Sequence, residues 1–215
     1  MKCFLLIIVS LPSFFSFGQA KTIKTDLLVI GGGTGGTAAA IQAARMGVKT
    51  ILIEPTSMLG GMLTAAGVSC TDGNDQLSSG IWEEFRQALY HHYGVSRLNT
   101  AWAAREKNLT IFFRYDFDKI QKKANKVTAA RFLSTQKNDK SSLNIKAKII
   151  IDATELGDVL AAAGAGYNLG MDDPAVSGEK EAIEKNDIIQ DLTWAAILKD
   201  YGANVDKTID KPRNY

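Results

Sequence analysis

The stretch DLLVIGGGTGGTAAAIQAARMGVKTILIE, residues 26–54, decides the fold. Its first residues, Asp26–Ile30, form a mainly apolar run of the kind found in parallel strands that are buried on both faces. Thr37–Met46 predicts a helix with small residues facing that strand, and Val48–Ile53 is a second β-rich run. This β-α-β order predicts an α/β fold with a Rossmann-like parallel sheet.

A glycine-rich turn joins the predicted strand and helix with the spacing Gly31-x-Gly33-x-x-Gly36. Gly31 allows a tight turn out of the strand, Gly33 lacks a Cβ and so lets the backbone approach a pyrophosphate, and Gly36 permits close helix–strand packing. The start of that helix presents free N–H groups and a positive dipole end to phosphates, and Thr34 within the glycine-rich turn is a further candidate cofactor contact. The pattern therefore predicts a dinucleotide site at residues 31–36.

An acidic residue, Glu54, ends the second predicted strand. A carboxylate at this position can accept hydrogen bonds from the adenosine ribose hydroxyls, and it repels a 2′-phosphate. The sequence thus disfavours NADP, while FAD and NAD both stay possible at this point.

Two further segments favour FAD. The loop after Glu54 contains the doublet Gly60-Gly61, which lets the backbone run close to a second cofactor segment. Further on, the apolar strand that includes Ile149–Ile151 passes through Ala153-Thr154 into a predicted small-residue helix, Val159–Ala165, a second strand-to-helix crossing.

The runs VIGGGTGGTAAAIQAARMGVKTILIEPTSMLGGMLTAAGVS, SGIWEEFRQALYHHYG and IIIDATELGDVLAAAGAGYNLG resemble the FAD-dependent oxidoreductase family of the glutathione-reductase-like superfamily, over roughly Asp26 to Tyr215. The resemblance implies FAD as cofactor and a reaction that transfers hydride between an unknown small organic substrate and flavin. It implies contacts to the pyrophosphate from Gly31, Gly33 and Gly36, to the ribose from Glu54, to the flavin half from Gly60, Gly61 and Met62, and a closing corner formed by Ala153, Thr154 and Asp158.

Members of this family are considerably longer, and their C-terminal part supplies another strand, a helix over the flavin and most of the substrate pocket. We therefore expect this 215-residue chain to be a truncated oxidoreductase, poorly soluble, weak in FAD binding and without sustained turnover. Two other interpretations remain open: a non-catalytic nucleotide-binding module and half of an NAD-dependent dehydrogenase. No catalytic residue can be named, and a sugar derivative or another small metabolite is the expected substrate by analogy alone.

The first twenty residues have the three parts of a secretory signal peptide. Met1-Lys2 is a short positive start, Cys3–Phe17 is an uncharged and largely apolar run, and Gly18-Gln19-Ala20 resembles a cleavage site. A membrane anchor is the alternative, but Pro12 and the cleavage-like end favour a cleaved signal. We expect cleavage after Ala20 and a secreted or periplasmic protein without a stable membrane anchor. The expected domains are residues 21–170 for FAD binding and 171–215 for an incomplete substrate or cap region.

The composition excludes several other classes. A net charge of +2 gives no reason to expect a nucleic-acid partner, and the lysines between Lys119 and Lys148 are interpreted as a solvated sheet edge. Only two cysteines are present, Cys3 and Cys70, too few for an iron–sulfur cluster, and no metal site is expected.

The rest of the chain predicts a helix and three β-rich segments, and the family resemblance implies that these segments form a small antiparallel meander. Gln76–Tyr93 has apolar residues at helical spacing. The predicted meander consists of Leu109–Tyr115, Lys126–Ser134 and Leu143–Ile151, with a turn before the last strand. A final helix is predicted over Ile188–Tyr201.

Overall fold

The computed structural model describes residues 21–68, 79–91, 103–178, 184–189, 191, 199, 201–203 and 205–208. One six-stranded sheet has the order β3-β2-β1-β6-β5-β4. The strands are β1 (Lys21–Ile30), β2 (Thr50–Glu54), β3 (Leu109–Phe113), β4 (Tyr115–Lys123), β5 (Lys126–Ser134) and β6 (Ser142–Asp152). The described helices are α1 (Thr34–Arg45), α2 (Gly80–His91), α3 (Asp158–Ala163) and α4 (Pro174–Ser177), with a 3₁₀ turn at Gly61–Leu63.

Strand β1 lies at the centre of the sheet and pairs in parallel with β2 and with β6. Its apolar residues 27–30 are all buried, and every residue of β2 is buried as well. The strand starts at Lys21, earlier than the predicted Asp26, because residues 21–25 pair with residues 143–147 of β6. Backbone pairing with a distant strand thus extends β1 beyond its apolar run.

The two faces of the sheet are covered differently. Helix α1 packs on one face through its buried side, which consists of Gly36, Thr37, Ala40, Ile41 and Ala44. On the other face, Ala130 and Phe132 of the antiparallel part join Leu28 and Ile30 of β1 in a second core cluster. The predicted small-residue side of α1 is confirmed, as is the α/β class with a parallel β-α-β start.

The prediction for the meander was partly wrong. Residues Leu109–Phe113 do not belong to it but pair in parallel with β2. Arg114 has a φ of 62° and separates this strand from β4, which the sequence analysis did not find. A register shift between Phe117 and Lys119 changes which residues of β4 face inward, so the period-two apolar pattern is interrupted. The meander consists instead of β4, β5 and the first half of β6.

Helix boundaries differ from the predictions for local reasons. Helix α3 ends at Ala163 and not at Ala165, because Gly164 adopts a left-handed conformation with a φ of 72°. Helix α2 begins at Gly80, and the predicted ends of that helix at residues 76–78 and 92–93 lie outside the described residues, as does most of the predicted helix over residues 188–201. Residues 1–20 are also outside the described part. Within that part, no helix has the length and apolar character needed to cross a membrane.

Candidate functional site

The loop between β1 and α1 is tight at the positions where glycine was predicted to be needed. Gly31 has a φ of 102°, and a Cβ on it would lie 2.2 Å from the carbonyl oxygen of Ala153. A Cβ on Gly36 would lie 1.9 Å from the carbonyl oxygen of Gly31. Both contacts are with backbone atoms, which cannot move aside cheaply. The predicted roles of Gly31 in the turn and of Gly36 in helix–strand packing are therefore confirmed, and their contact with a pyrophosphate stays a prediction.

Gly33 is different, because no backbone atom lies near its missing Cβ. The nearest atom to that position is the Oε1 of Glu155, at 2.9 Å, at the end of a flexible side chain. Helix α1 begins at the next residue, Thr34. Its N-cap residue is Gly33, so no cap side chain accepts a hydrogen bond from the first N–H groups of the helix. A helix start with free N–H groups and a positive dipole end is suited to bind an anion.

Glu54 is buried at the end of β2, with only 4% of its surface exposed. Its Oε2 accepts a hydrogen bond of 2.9 Å from the N–H of Gly32, and its Oε1 accepts one of 2.8 Å from the N–H of Thr56. The carboxylate thus fastens the glycine loop to the loop after β2, a role that the sequence analysis missed. Because a carboxylate has about four acceptor positions, two bonds leave capacity for the predicted ribose contact.

The loop with the second glycine doublet lies directly beside the first glycine loop. The N–H of Gly60 donates a hydrogen bond of 2.8 Å to the carbonyl oxygen of Gly32, and Gly60 forms a β-bridge with Gly33. A Cβ on Gly61 would lie 3.0 Å from the Cα of Gly33. Met62 follows with 60% of its surface exposed. The two glycine loops thus lie side by side, and the contact of Gly60, Gly61 and Met62 with the flavin half stays a prediction.

The corner between β6 and α3 is held by Asp152, which the sequence analysis did not select. Its Oδ1 accepts hydrogen bonds from the N–H and the hydroxyl of Thr154, and its Oδ2 accepts one of 2.7 Å from the N–H of Leu160. The Thr154 hydroxyl oxygen in turn accepts a bond of 2.8 Å from the N–H of Asp158. Asp and Thr commonly make such local bonds to the backbone, so this pattern could have been found from the spacing Asp-x-Thr before a short helix.

A cleft of about 650 Å³ opens at the carboxyl ends of β1, β2 and β6. This is where open parallel sheets bind ligands, and the volume lies within the range of small-molecule sites. The cleft brings together most of the predicted site residues, namely Gly31, Gly33, Glu54, Gly61, Met62, Ala153, Thr154 and Asp158. Thr34, Gly36 and Gly60 do not line it. The sequence analysis missed the wall formed by Tyr115, Asp116 and Phe117, because it did not find β4.

Three ion pairs, each of which includes a group with a shifted pKa, lie away from this cleft. The side chain of Lys148 lies 2.7 Å from Asp26 and lowers the pKa of that carboxyl group. Hydrogen bonds from Arg45 raise the pKa of the arginine, with the larger contribution from Glu84 and a smaller one from Glu106. The bond to Glu84 connects α1 to α2. Within the described ranges, no group of three His, Cys, Asp or Glu residues is placed to hold a metal ion.

Comparison with known proteins adds a family match. A sequence model of the family described as FAD dependent oxidoreductase matches residues 26–214. Mitochondrial dihydrolipoyl dehydrogenase of Caenorhabditis elegans is 31% identical over 147 residues, which cover 63% of this chain and 29% of that protein. Leghemoglobin reductase of Glycine max is 43% identical over 70 residues, which cover 32% of this chain and 13% of that protein.

Among solved structures, THI4 of Thermovibrio ammonificans has a TM-score of 0.47 and 17% identity, covering 73% of this chain and 64% of that chain. The match to the two curated relatives spans less than a third of their length.

Proposed function

Because the chain belongs to the FAD-dependent oxidoreductase family and FAD is the cofactor of that family, we propose that it takes part in hydride transfer between a small organic substrate and flavin. FAD supplies the redox chemistry, and the protein binds and orients it. The observation that carries this proposal is the glycine loop, which borders the cleft and has no backbone atom near the missing Cβ of Gly33, beside the start of α1. The family match favours FAD over the NAD alternative.

The residues present fit a dinucleotide. A Cβ would collide with backbone at Gly31 and Gly36, whereas the Gly33 side of the loop meets only the end of a side chain. Gly33 and the first N–H groups of α1 would therefore hold the pyrophosphate. Glu54 would hold the adenosine ribose with its remaining acceptor capacity, and Gly61 and Met62 would lie beside the flavin half.

Other contacts of the described residues hold the backbone around the cleft in place. Glu54 holds the glycine loop in place through its hydrogen bond with the N–H of Gly32. Asp152 fixes the β6–α3 corner in the same way. Tyr115 and Phe117 of β4 line the meander side of the cleft. A glycine loop and a corner that are held by hydrogen bonds lose less conformational entropy when a ligand binds.

Cofactor binding can be tested with a matched pair of glycine variants. Gly33→Val places a branched side chain on the open side of the glycine loop, and we expect it to weaken FAD binding by tenfold or more. Gly166→Val is the control, because nothing lies within 4 Å of a Cβ at that position and Gly166 does not line the cleft. FAD affinity is measured by the change in flavin fluorescence. Equal affinities for the two variants would remove the glycine loop from the site.

Hydride transfer is tested separately, with FAD-loaded protein under anaerobic conditions. Candidate sugars, hydroxy acids and amines are added one at a time, and loss of the visible flavin absorbance reports reduction. We expect at least one class to reduce the bound flavin in a single turnover, with sugar derivatives as the first candidates. Flavin that is bound but reduced by none of these classes would favour the non-catalytic nucleotide-binding alternative.

The proposal includes export of the protein. It is supported by the positive start, the apolar run and the small residues that end at Ala20. The protein is expressed in a bacterial host, and the mass of the product outside the cytoplasm is measured. A chain that begins at Lys21 is expected, and retention of residues 1–20 on a cytoplasmic product would contradict export.

A further inference from the structure

Glu155 has an unusual position in the β6–α3 corner. Its Oε1 lies 2.9 Å from the Cβ positions of both Gly33 and Gly61, so one carboxylate oxygen rests against both glycine loops. The residue is exposed to solvent and lines the cleft. In the part of the chain that the structure describes, no Lys or Arg side chain forms an ion pair with it.

This oxygen lies on the side of Gly33 where a pyrophosphate would approach. The absence of a Cβ at Gly33 leaves room there for an anion, and the start of α1 makes the region favourable for negative charge. In the structure, the carboxylate oxygen Oε1 of Glu155 lies in that room. Like charges at such a short distance repel each other, and a phosphate oxygen cannot occupy the same volume as a carboxylate oxygen.

Glu54, which is the buried acid of the cleft, does not behave in this way. Both oxygens of Glu54 are held by backbone N–H groups at 2.8–2.9 Å, so its charge is compensated where it lies. Glu155 has a long side chain that starts from an exposed corner, and it can rotate out of the cleft without breaking a side-chain hydrogen bond to another described residue. It is therefore positioned to occupy the anion position in one state and to leave it in another.

We propose that Glu155 is an internal competitor for the pyrophosphate position, and that FAD can bind only when this side chain turns away from Gly33 and Gly61. The inference rests on the proposed FAD site and adds a residue that sets the affinity of that site. The competition acts at the phosphates and not at the adenosine, because the contacts of Glu155 are with the two glycine loops.

The test compares Glu155→Gln and Glu155→Ala with the parent protein. Glu155→Gln removes the charge and keeps the size, whereas Glu155→Ala removes both. Glu184→Gln is the control, since it makes the same charge change at an exposed residue that does not line the cleft. FAD, ADP and adenosine are titrated against each protein, and circular dichroism checks that each variant is folded.

We expect FAD and ADP to bind about tenfold more tightly to both Glu155 variants, a change of about 1.4 kcal/mol. Adenosine, which has no phosphate, should bind all four proteins equally. FAD binding to the Glu155 variants that equals or falls below that of the parent would overturn the proposal, as would an equal gain for adenosine. Failure of FAD to bind any of the four proteins would instead refute the proposed FAD site itself, and the inference would fall with it.

Discussion

Replacement of Gly36 by alanine tests how closely α1 approaches β1. The added Cβ would lie 1.9 Å from the carbonyl oxygen of Gly31 and 2.9 Å from the Cβ of Ala153. Neither neighbour can yield easily. The N–H of Gly31 donates a hydrogen bond to the carbonyl oxygen of Ile53, and the N–H of Ala153 donates one to the carbonyl oxygen of Ile30. Backbone hydrogen bonds therefore hold both neighbours of the added Cβ.

The magnitude follows from two opposing effects. In an unconstrained helix, Gly→Ala stabilises by up to about 1 kcal/mol. Overpacking of a well-packed site costs about 1–3 kcal/mol and more when the clash is with backbone, because α1 as a whole must then move. We expect a net loss of about 3 kcal/mol, which is a large part of the roughly 5–15 kcal/mol that stabilises a typical domain.

The assay is urea unfolding of the parent and two variants, followed by circular dichroism. Gly35→Ala is the matched control, since Gly35 is the preceding residue of the same helix and nothing lies within 4 Å of a Cβ there. This variant should gain roughly 0.5–1 kcal/mol, because it keeps the helix-propensity benefit without the clash. Equal stability of the two variants would show that α1 does not approach β1 as closely as the structure has it.

Three other perturbations have defined outcomes. Glu54→Gln leaves one buried backbone N–H facing an amide donor, so the free energy of unfolding should fall by about 1–3 kcal/mol. An unchanged urea midpoint would contradict the two hydrogen bonds of Glu54. Asp152→Asn removes acceptor strength at the start of α3, and faster amide hydrogen exchange at Leu160 should result; unchanged exchange would argue against this bond. Lys148 lowers the pKa of Asp26, so the stabilisation is complete above about pH 4 and is lost as the pH falls through the lowered pKa. The stability difference between the parent and Asp26→Asn should therefore shrink on acidification, and a constant difference would refute the ion pair.

Local patterns predicted the first half of the fold well. The run of apolar residues, the glycines and the acid at position 54 lie close together in sequence, and they form one compact β-α-β unit in the structure. Strand β4 could not be found in this way, because its register shift breaks the alternation that identifies strands. The separation of β3 from the meander depends on the positive φ of Arg114, and arginine gives no signal for that conformation.

The candidate site shows the same division. Gly31 and Gly36 could be selected because their steric requirement belongs to a known local motif. The bonds of Glu54 to Gly32 and Thr56 depend on how two loops meet, which the spacing alone does not specify. The contact of Glu155 with the two glycine loops is even harder to predict from the sequence, because these residues are far apart in the chain and no periodicity connects them.

The central position of β1 has a consequence for the order in which the chain can fold. Its partner β2 follows within a short stretch, but its other partner is β6, whose Leu143 pairs with Lys21. At a synthesis rate of roughly 5–20 residues per second, the second edge of β1 stays unpaired for on the order of 10 s after the strand emerges. Contacts between such distant segments also slow folding once the chain is released. Leu28 and Ile30, whose core cluster includes residues of β5 and β6, are therefore a predicted chaperone-binding segment of the nascent chain until those strands have been made.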